Sequence, residues 1–182
     1  MMEDTMQRPS PITRSRSLFA TLVLGAVLWP LTLAFAVMMQ DDPNGFEGIP
    51  WGAELAGRDR LTKVEDAGRV QTYELKGGPA LREIPVDVLR FSAVDGQFAR
   101  VMIRYSGKDT HDKILDLLQQ QYGRLERTPG LTTGGMVKFF NWLGTDSDIT
   151  LRYDARTGQG VIFFESQVFR AKFSEGNAPS AF

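Results

Sequence analysis

The chain has 182 residues, 42% of them apolar, with 21 Lys and Arg against 22 Asp and Glu, one His and no Cys. That length fits one ordinary domain of about 100–200 residues, and the near-balance of charge argues against a nucleic-acid binder, which needs a basic face to neutralise phosphates. Without Cys and with a single His, the chain has no disulfide, thiol nucleophile, lipidated N-terminal Cys or multi-His metal site of its own.

Arg8, Arg14 and Arg16 precede an uncharged run over residues 18–39, which is interrupted by Trp29-Pro30 and followed by the small-x-small pair Ala34 and Ala36. A basic start, an apolar stretch and such a site predict a signal peptide over residues 1–36, cleaved after Ala36. Pro30 breaks the apolar helix shortly before that site, leaving an extended segment for a peptidase. The competing reading is an uncleaved anchor over residues 18–39, close to the length that spans a bilayer. Both place the C-terminal domain outside the cytoplasm, because Asp41 and Asp42 follow the run while arginines precede it. Removal of residues 1–36 takes away three Arg and two acids and leaves a Cys-free domain of charge −2.

Residues 37–45 read as a flexible, turn-prone lead-in, and a single domain is expected over residues 46–173. Phe46-Glu47-Gly48-Ile49-Pro50-Trp51-Gly52 mixes large apolar side chains with Gly and Pro, so its aromatics plug into the body from an irregular segment. A helical turn is possible over 53–64, and Val70, Tyr73 and Leu75 suggest a strand ended by residues 76–79. Residues 86–94 and 97–105 flank Asp95-Gly96, a strong hairpin signal. A two-residue loop sets 94 against 97, 91 against 100, 89 against 102 and 87 against 104, with both hairpin faces largely apolar.

Ser106 to Asp109 fits a capping box with Asp in place of Glu, opening a helix over residues 109–122 that Gly123 stops. Ile114, Leu115, Leu118 and Tyr122 form its apolar face. His111 lies on the same face and reads as an edge-of-core residue bonded to the sheet below. A turn-rich loop follows over 125–135, then strands over 136–143, 147–153 and 160–169, then a disordered tail over 174–182. The order predicts an α+β domain: a curled antiparallel sheet of about six strands, three before the helix and three after, packed against one main helix.

Chemistry is scarce in this sequence. No G-x-S-x-G motif accompanies His111, and Ser106-Gly107-Lys108-Asp109-Thr110 lacks phosphate-loop spacing. Paired carboxylates are all that a hydrolase would have, from Asp146 and Asp148 or from Glu47 near Trp51. No catalytic, cofactor or metal set emerges. Aromatics instead concentrate late in the chain, where the adjacent pairs Phe139-Phe140 and Phe163-Phe164 must face opposite sides of their strands. Trp51, Trp142, Phe140, Phe164 and Phe169 are therefore the candidate interface or pocket residues.

Phe46-x-Gly48-Ile49-x-Trp51-Gly52 after a signal peptide, Gln120-Gln121-Tyr122-Gly123 at a helix end, and Tyr153-Asp154 before Thr157-Gly158 resemble a group of small exported bacterial proteins with no assigned activity. The resemblance spans most of residues 46–169 and implies bacterial export and one compact domain. A looser likeness is to the α+β modules of outer-membrane assembly lipoproteins, though the anchoring Cys is missing here. The leading expectation is a non-catalytic periplasmic module binding another envelope protein through an aromatic sheet face or the edge of its long last strand. The alternative is a binder of a small apolar ligand between helix and sheet, and a carboxylate hydrolase comes third. Membrane contact is expected only through the signal peptide or an inner-membrane anchor, and no nucleic-acid partner or cofactor is expected.

Overall fold

The structure, a computed structural model, describes residues 37–125, 130–131 and 136–172. The signal peptide with Ala34 and Ala36, the tail and most of the 125–135 loop lie outside those residues. The strands are β1 (Val37–Met38), β2 (Gly45–Phe46), β3 (Ile49–Pro50), β4 (Leu61–Ala67), β5 (Val70–Leu75), β6 (Ala80–Leu81), β7 (Ile84–Pro85), β8 (Val88–Val94) and β9 (Gln97–Ser106). Helix α1 (Lys108–Tyr122) follows, then β10 (Gly130–Leu131), β11 (Val137–Leu143), β12 (Ser147–Asp154) and β13 (Gln159–Ser166).

The fold is α+β around one main helix, but the sheet is open, and the expected curl and six-strand count are both wrong. Seven long strands run antiparallel in the order β11-β12-β13-β9-β8-β5-β4, with β1 and β10 both pairing with β11. Four long strands precede the helix rather than three, because residues 61–67 form β4 instead of a helical turn. The helix carries the chain from central β9 out to β11, and β12 and β13 step back until β13 pairs with β9. The last strand is thus central. The sheet has no need to curl, because α1, two small hairpins and Met39 all pack on the face that carries the main core.

Its edges are occupied or blunted. β11 carries β1 and β10, while β4 is charged at Lys63, Glu65 and Asp66 and is interrupted by a bulge between Lys63 and Glu65. Charge and a bulge both discourage strand addition at an edge.

Asp95-Gly96 turns the β8–β9 hairpin as expected, with left-handed φ angles of 51° and 77°. The register agrees at Val94↔Gln97 and Ala93↔Phe98, but a bulge then pairs Ser92 with Arg100 and Phe91 with Val101, so the expected pairs 91 with 100, 89 with 102 and 87 with 104 do not form. The extra residue keeps Phe98, Val101, Ile103 and Tyr105 all in the core, where strict alternation would have turned the last three outward. The capping box does not form either. Gly107 stands at the N-cap without a side-chain cap, and Ser106, the last residue of β9, donates to Asp87 Oδ2 at 2.6 Å.

Along β11, β12 and β13, Phe140 and Trp142 lie beside Leu151 and Ile149, and these beside Ile162 and Phe164. All six are buried, and α1 adds His111, Ile114, Leu118 and Tyr122 above the sheet. Each apolar side chain in such a layer contributes about 1.5–3 kcal/mol of burial.

Candidate functional site

The five aromatics singled out from the sequence do not share one surface. Trp142 is 0% exposed and donates from Nε1 to the Gly123 carbonyl at 2.9 Å, which ties the helix end to β11. Phe140 and Phe164 are also core residues. Trp51 is half-buried, 4.6 Å from the Phe98 ring, and its Nε1 donates to Ser147 Oγ at 2.7 Å. Phe169 packs with Val70, Val94 and Ala99 in a separate small cluster. Of the five, Phe164 also lines a cavity.

That cavity, of about 610 Å³, lies between the C-terminal half of α1 and two small hairpins, β2–β3 and β6–β7. Its apolar lining includes Phe46, Leu81, Leu117 and Phe164, and its polar groups are Glu47, Arg82, Gln121 and Tyr122. The size and the mixture suit a small organic molecule. Among the described residues three non-glycines hold positive φ, and two of them, Glu47 at 52° and Arg82 at 53°, are the tips of the two hairpins that line this cavity. Left-handed backbone at a charged residue costs about 1–2 kcal/mol, and such positions gather at ligand sites.

Arg82 donates from Nη2 to Gln121 Oε1 at 2.6 Å, so its guanidinium is oriented by a neutral partner. Burial pushes the Tyr122 phenol up to about 12, against the nearby Arg82 charge, so it stays protonated. A second cavity of about 390 Å³ lies beyond the β2–β3 hairpin, lined by Leu61, Leu75 and Phe91 with Arg58, Asp59 and Arg60 at its mouth. Glu47, Gly48 and Ile49 belong to the walls of both.

The other chemical candidates are accounted for elsewhere. Asp148 is buried, which raises its pKa, while Arg170 draws it back and donates to it at 2.8 Å alongside Gln167 at 2.7 Å. Asp146 sits in the β11–β12 turn, where its amide donates to Asp42. Neither lines either cavity, so Glu47 is the only one of the three carboxylates at the site. His111 is bonded to the sheet below it: the Tyr105 hydroxyl lies 2.7 Å from Nδ1, and the imidazole stacks on Tyr153 with centroids 3.8 Å apart. Burial lowers its pKa to about 4. Among the described residues no group of three or more His, Asp or Glu is placed to hold a metal ion, and no helix is long and apolar enough to cross a membrane.

The sequence reading missed Arg82, Gln121, Leu81 and Leu117. The available signal was weak: residues 80–85 (ALREIP) alternate briefly around a charged pair, too short a run to register as a strand. Comparisons of the chain with protein-family models, with curated proteins and with solved structures find no match.

Proposed function

We propose that this is an exported, non-catalytic binding protein whose ligand is a small, largely apolar molecule held between α1 and the β2–β3 and β6–β7 hairpins. The observation that carries the reading is the 610 Å³ cavity, which joins a Phe46–Phe164 floor to a few convergent polar groups. The burial of Trp142, Phe140 and Phe164 supports it further, since it removes from the surface the residues an aromatic docking face would need.

Titration with phenylnaphthylamine, a neutral dye that brightens in apolar surroundings, tests the reading. Saturable binding by the protein and its loss in Leu117→Trp are expected, because Leu117 is only partly buried and an indole there fills the cavity. Absence of binding, or unchanged binding in a folded Leu117→Trp variant, refutes it.

The reading as a protein-interaction module of the envelope rests on the opposite sheet face. There Met102, Phe139 and Phe163 stay half-buried beside exposed Arg104 and Arg152. Cross-linked capture from envelope fractions of the native host tests it, and a stoichiometric partner lost on Arg104→Glu is the result in its favour.

A further inference from the structure

The first cavity carries two opposite charges that do not neutralise each other. Glu47 enters its wall from the turn of the β2–β3 hairpin, and Arg82 enters from the turn of β6–β7. Among the described residues neither belongs to an ion pair, and Arg82 donates only to the neutral Gln121 side chain. Glu83, beside Arg82 in the same turn, is exposed and not part of the wall.

Glu47 also borders the second cavity, yet its carboxylate is felt in the first. The buried Tyr122 phenol, which lines the first cavity and not the second, is drawn down by Arg82 and pushed up by Glu47, with Asp41 adding to that push from outside the wall. A cation and an anion on separate hairpins therefore act on one hydroxyl. Much of the remaining wall is apolar: Phe46 and Phe164, with ring centroids 4.9 Å apart, and Leu81 and Leu117. Both charged residues hold positive φ, where glycine would sit more easily. Neither is neutralised by an opposite charge within the protein, so stability does not account for a charge at each tip.

We infer that the ligand of this cavity is a zwitterion with an apolar body, its ammonium group at Glu47, its carboxylate or phosphate at Arg82 and its body on the Phe46–Phe164 floor. The inference rests on the cavity reading above and adds the charges that the ligand carries. A planar guanidinium pairs with a carboxylate or phosphate through two parallel hydrogen bonds, and an ammonium donates to a carboxylate. A purely anionic or purely cationic ligand would meet a like charge at one of the two tips, which works against it. A short apolar peptide with free ends and the head of an aminophospholipid both carry the required pair.

The experiment displaces phenylnaphthylamine from the full chain with two sets of probes. The first is trileucine with its N-acetyl, C-terminal amide and doubly blocked forms. The second is lysophosphatidylethanolamine below its micelle concentration, beside lysophosphatidylglycerol, which lacks the ammonium group. Free trileucine should displace the dye better than either singly blocked form by roughly two- to fivefold, the range of one solvent-exposed ion pair. In Glu47→Gln the penalty of acetylation should vanish while that of amidation stays, and in Arg82→Gln the reverse. These are ratios within one protein, so a variant that merely reshapes the cavity does not reproduce them. Discrimination between the two lysophospholipids that disappears in Glu47→Gln, with trileucine inert, also supports the zwitterion and assigns it to a lipid head. If neither set displaces a bound dye, or free and blocked forms displace it equally, the zwitterion is overturned and the cavity reading stands. A penalty at only one end of trileucine overturns the pairing of charges. Failure of the dye itself to bind refutes the cavity reading and this inference together.

Discussion

The buried imidazole of His111 makes stability depend on pH in a window where few other groups of this protein titrate. His111 is 3% exposed, and its ring is enclosed by Tyr105 on β9, Phe140 on β11 and Tyr153 on β12. Burial lowers its pKa to about 4; Asp112 pulls it upward, and Lys138 and Lys108 push it further down. Burial also raises the pKa of the Tyr105 phenol, so the hydroxyl keeps its proton, 2.7 Å from Nδ1 of the neutral ring.

An unfolded chain has an ordinary histidine, with a pKa of about 6.5. Between the two values the unfolded chain binds a proton that the folded chain refuses, so stability falls as pH falls. The linkage amounts to about 2 kcal/mol between pH 7 and pH 5 and roughly 3 kcal/mol by pH 4. The carboxylates act elsewhere: Asp66, Asp95, Asp112 and Asp154 have lowered pKa values and cost stability only as pH drops below the usual carboxylate range. Asp148, raised by burial, works in the opposite sense.

Urea unfolding across pH 7 to pH 4 measures the slope, and His111→Asn isolates its source, since the asparagine amide offers the Tyr105 hydroxyl both a donor and an acceptor without titrating. The variant loses the Tyr153 stack and is less stable at pH 7, but its stability should be nearly flat down to pH 5. Parallel pH profiles for the two proteins refute the assignment.

Three substitutions test the packing that frames the site. Trp142→Ala removes a fully buried indole and its bond to the Gly123 carbonyl and should cost about 3–5 kcal/mol in urea unfolding; a loss below about 1 kcal/mol contradicts a core role. Gly160→Ala places a methyl 2.0 Å from the Tyr105 ring, which lies across that glycine. Thermal unfolding should register a loss of about 1–3 kcal/mol, largely absent in a Tyr105→Leu background, and strict additivity rejects the clash. Asp42→Ala strips the acceptor from three turn amides and should lower stability by about 1–2 kcal/mol, with faster amide exchange at Thr145 to Ser147 as the specific readout; unchanged exchange there contradicts the capping role.

Local patterns carried the central strands and the helix into view. The alternation of Ile149, Leu151 and Tyr153, the Asp95-Gly96 turn and the spacing of Ile114, Leu118 and Tyr122 each depend on neighbours within one element. Features that depend on distant residues did not show. The bulge at Ala99 exists because Phe98 and Val101 must both face the core, a demand set by strands far away in the sequence. β4 was hidden for the same reason in reverse: as an edge strand it buries only Leu61, so its sequence carries almost no apolar signal. Sheet shape depends on which strand meets β9, and that pairing is made by β13, beyond the helix and two further strands.

The seven residues from Phe46 to Gly52 show how a motif can be visible while its purpose is not. Phe46 drops its ring between Phe91 and Phe164, and Glu47-Gly48 reverses the chain with both residues at positive φ, which glycine tolerates and glutamate does not favour. Ile49 forms the partition between the cavities, and Trp51 reaches Ser147 to fasten the end of the span. Gly52, at φ 78°, lies where a β-carbon would come within 3.0 Å of the Phe169 ring. The aromatics of the motif therefore serve as anchors of a strap rather than as a docking face. Exposed Glu47, at the strained tip between two cavities, gives no stability that would explain a left-handed glutamate there. If the strap exists only to fill the core, Glu47→Gly should stabilise the protein and leave dye binding unchanged. If the strap forms the ligand site, the same substitution should stabilise the protein while altering affinity, and that separation of effects distinguishes a structural hairpin from a binding one.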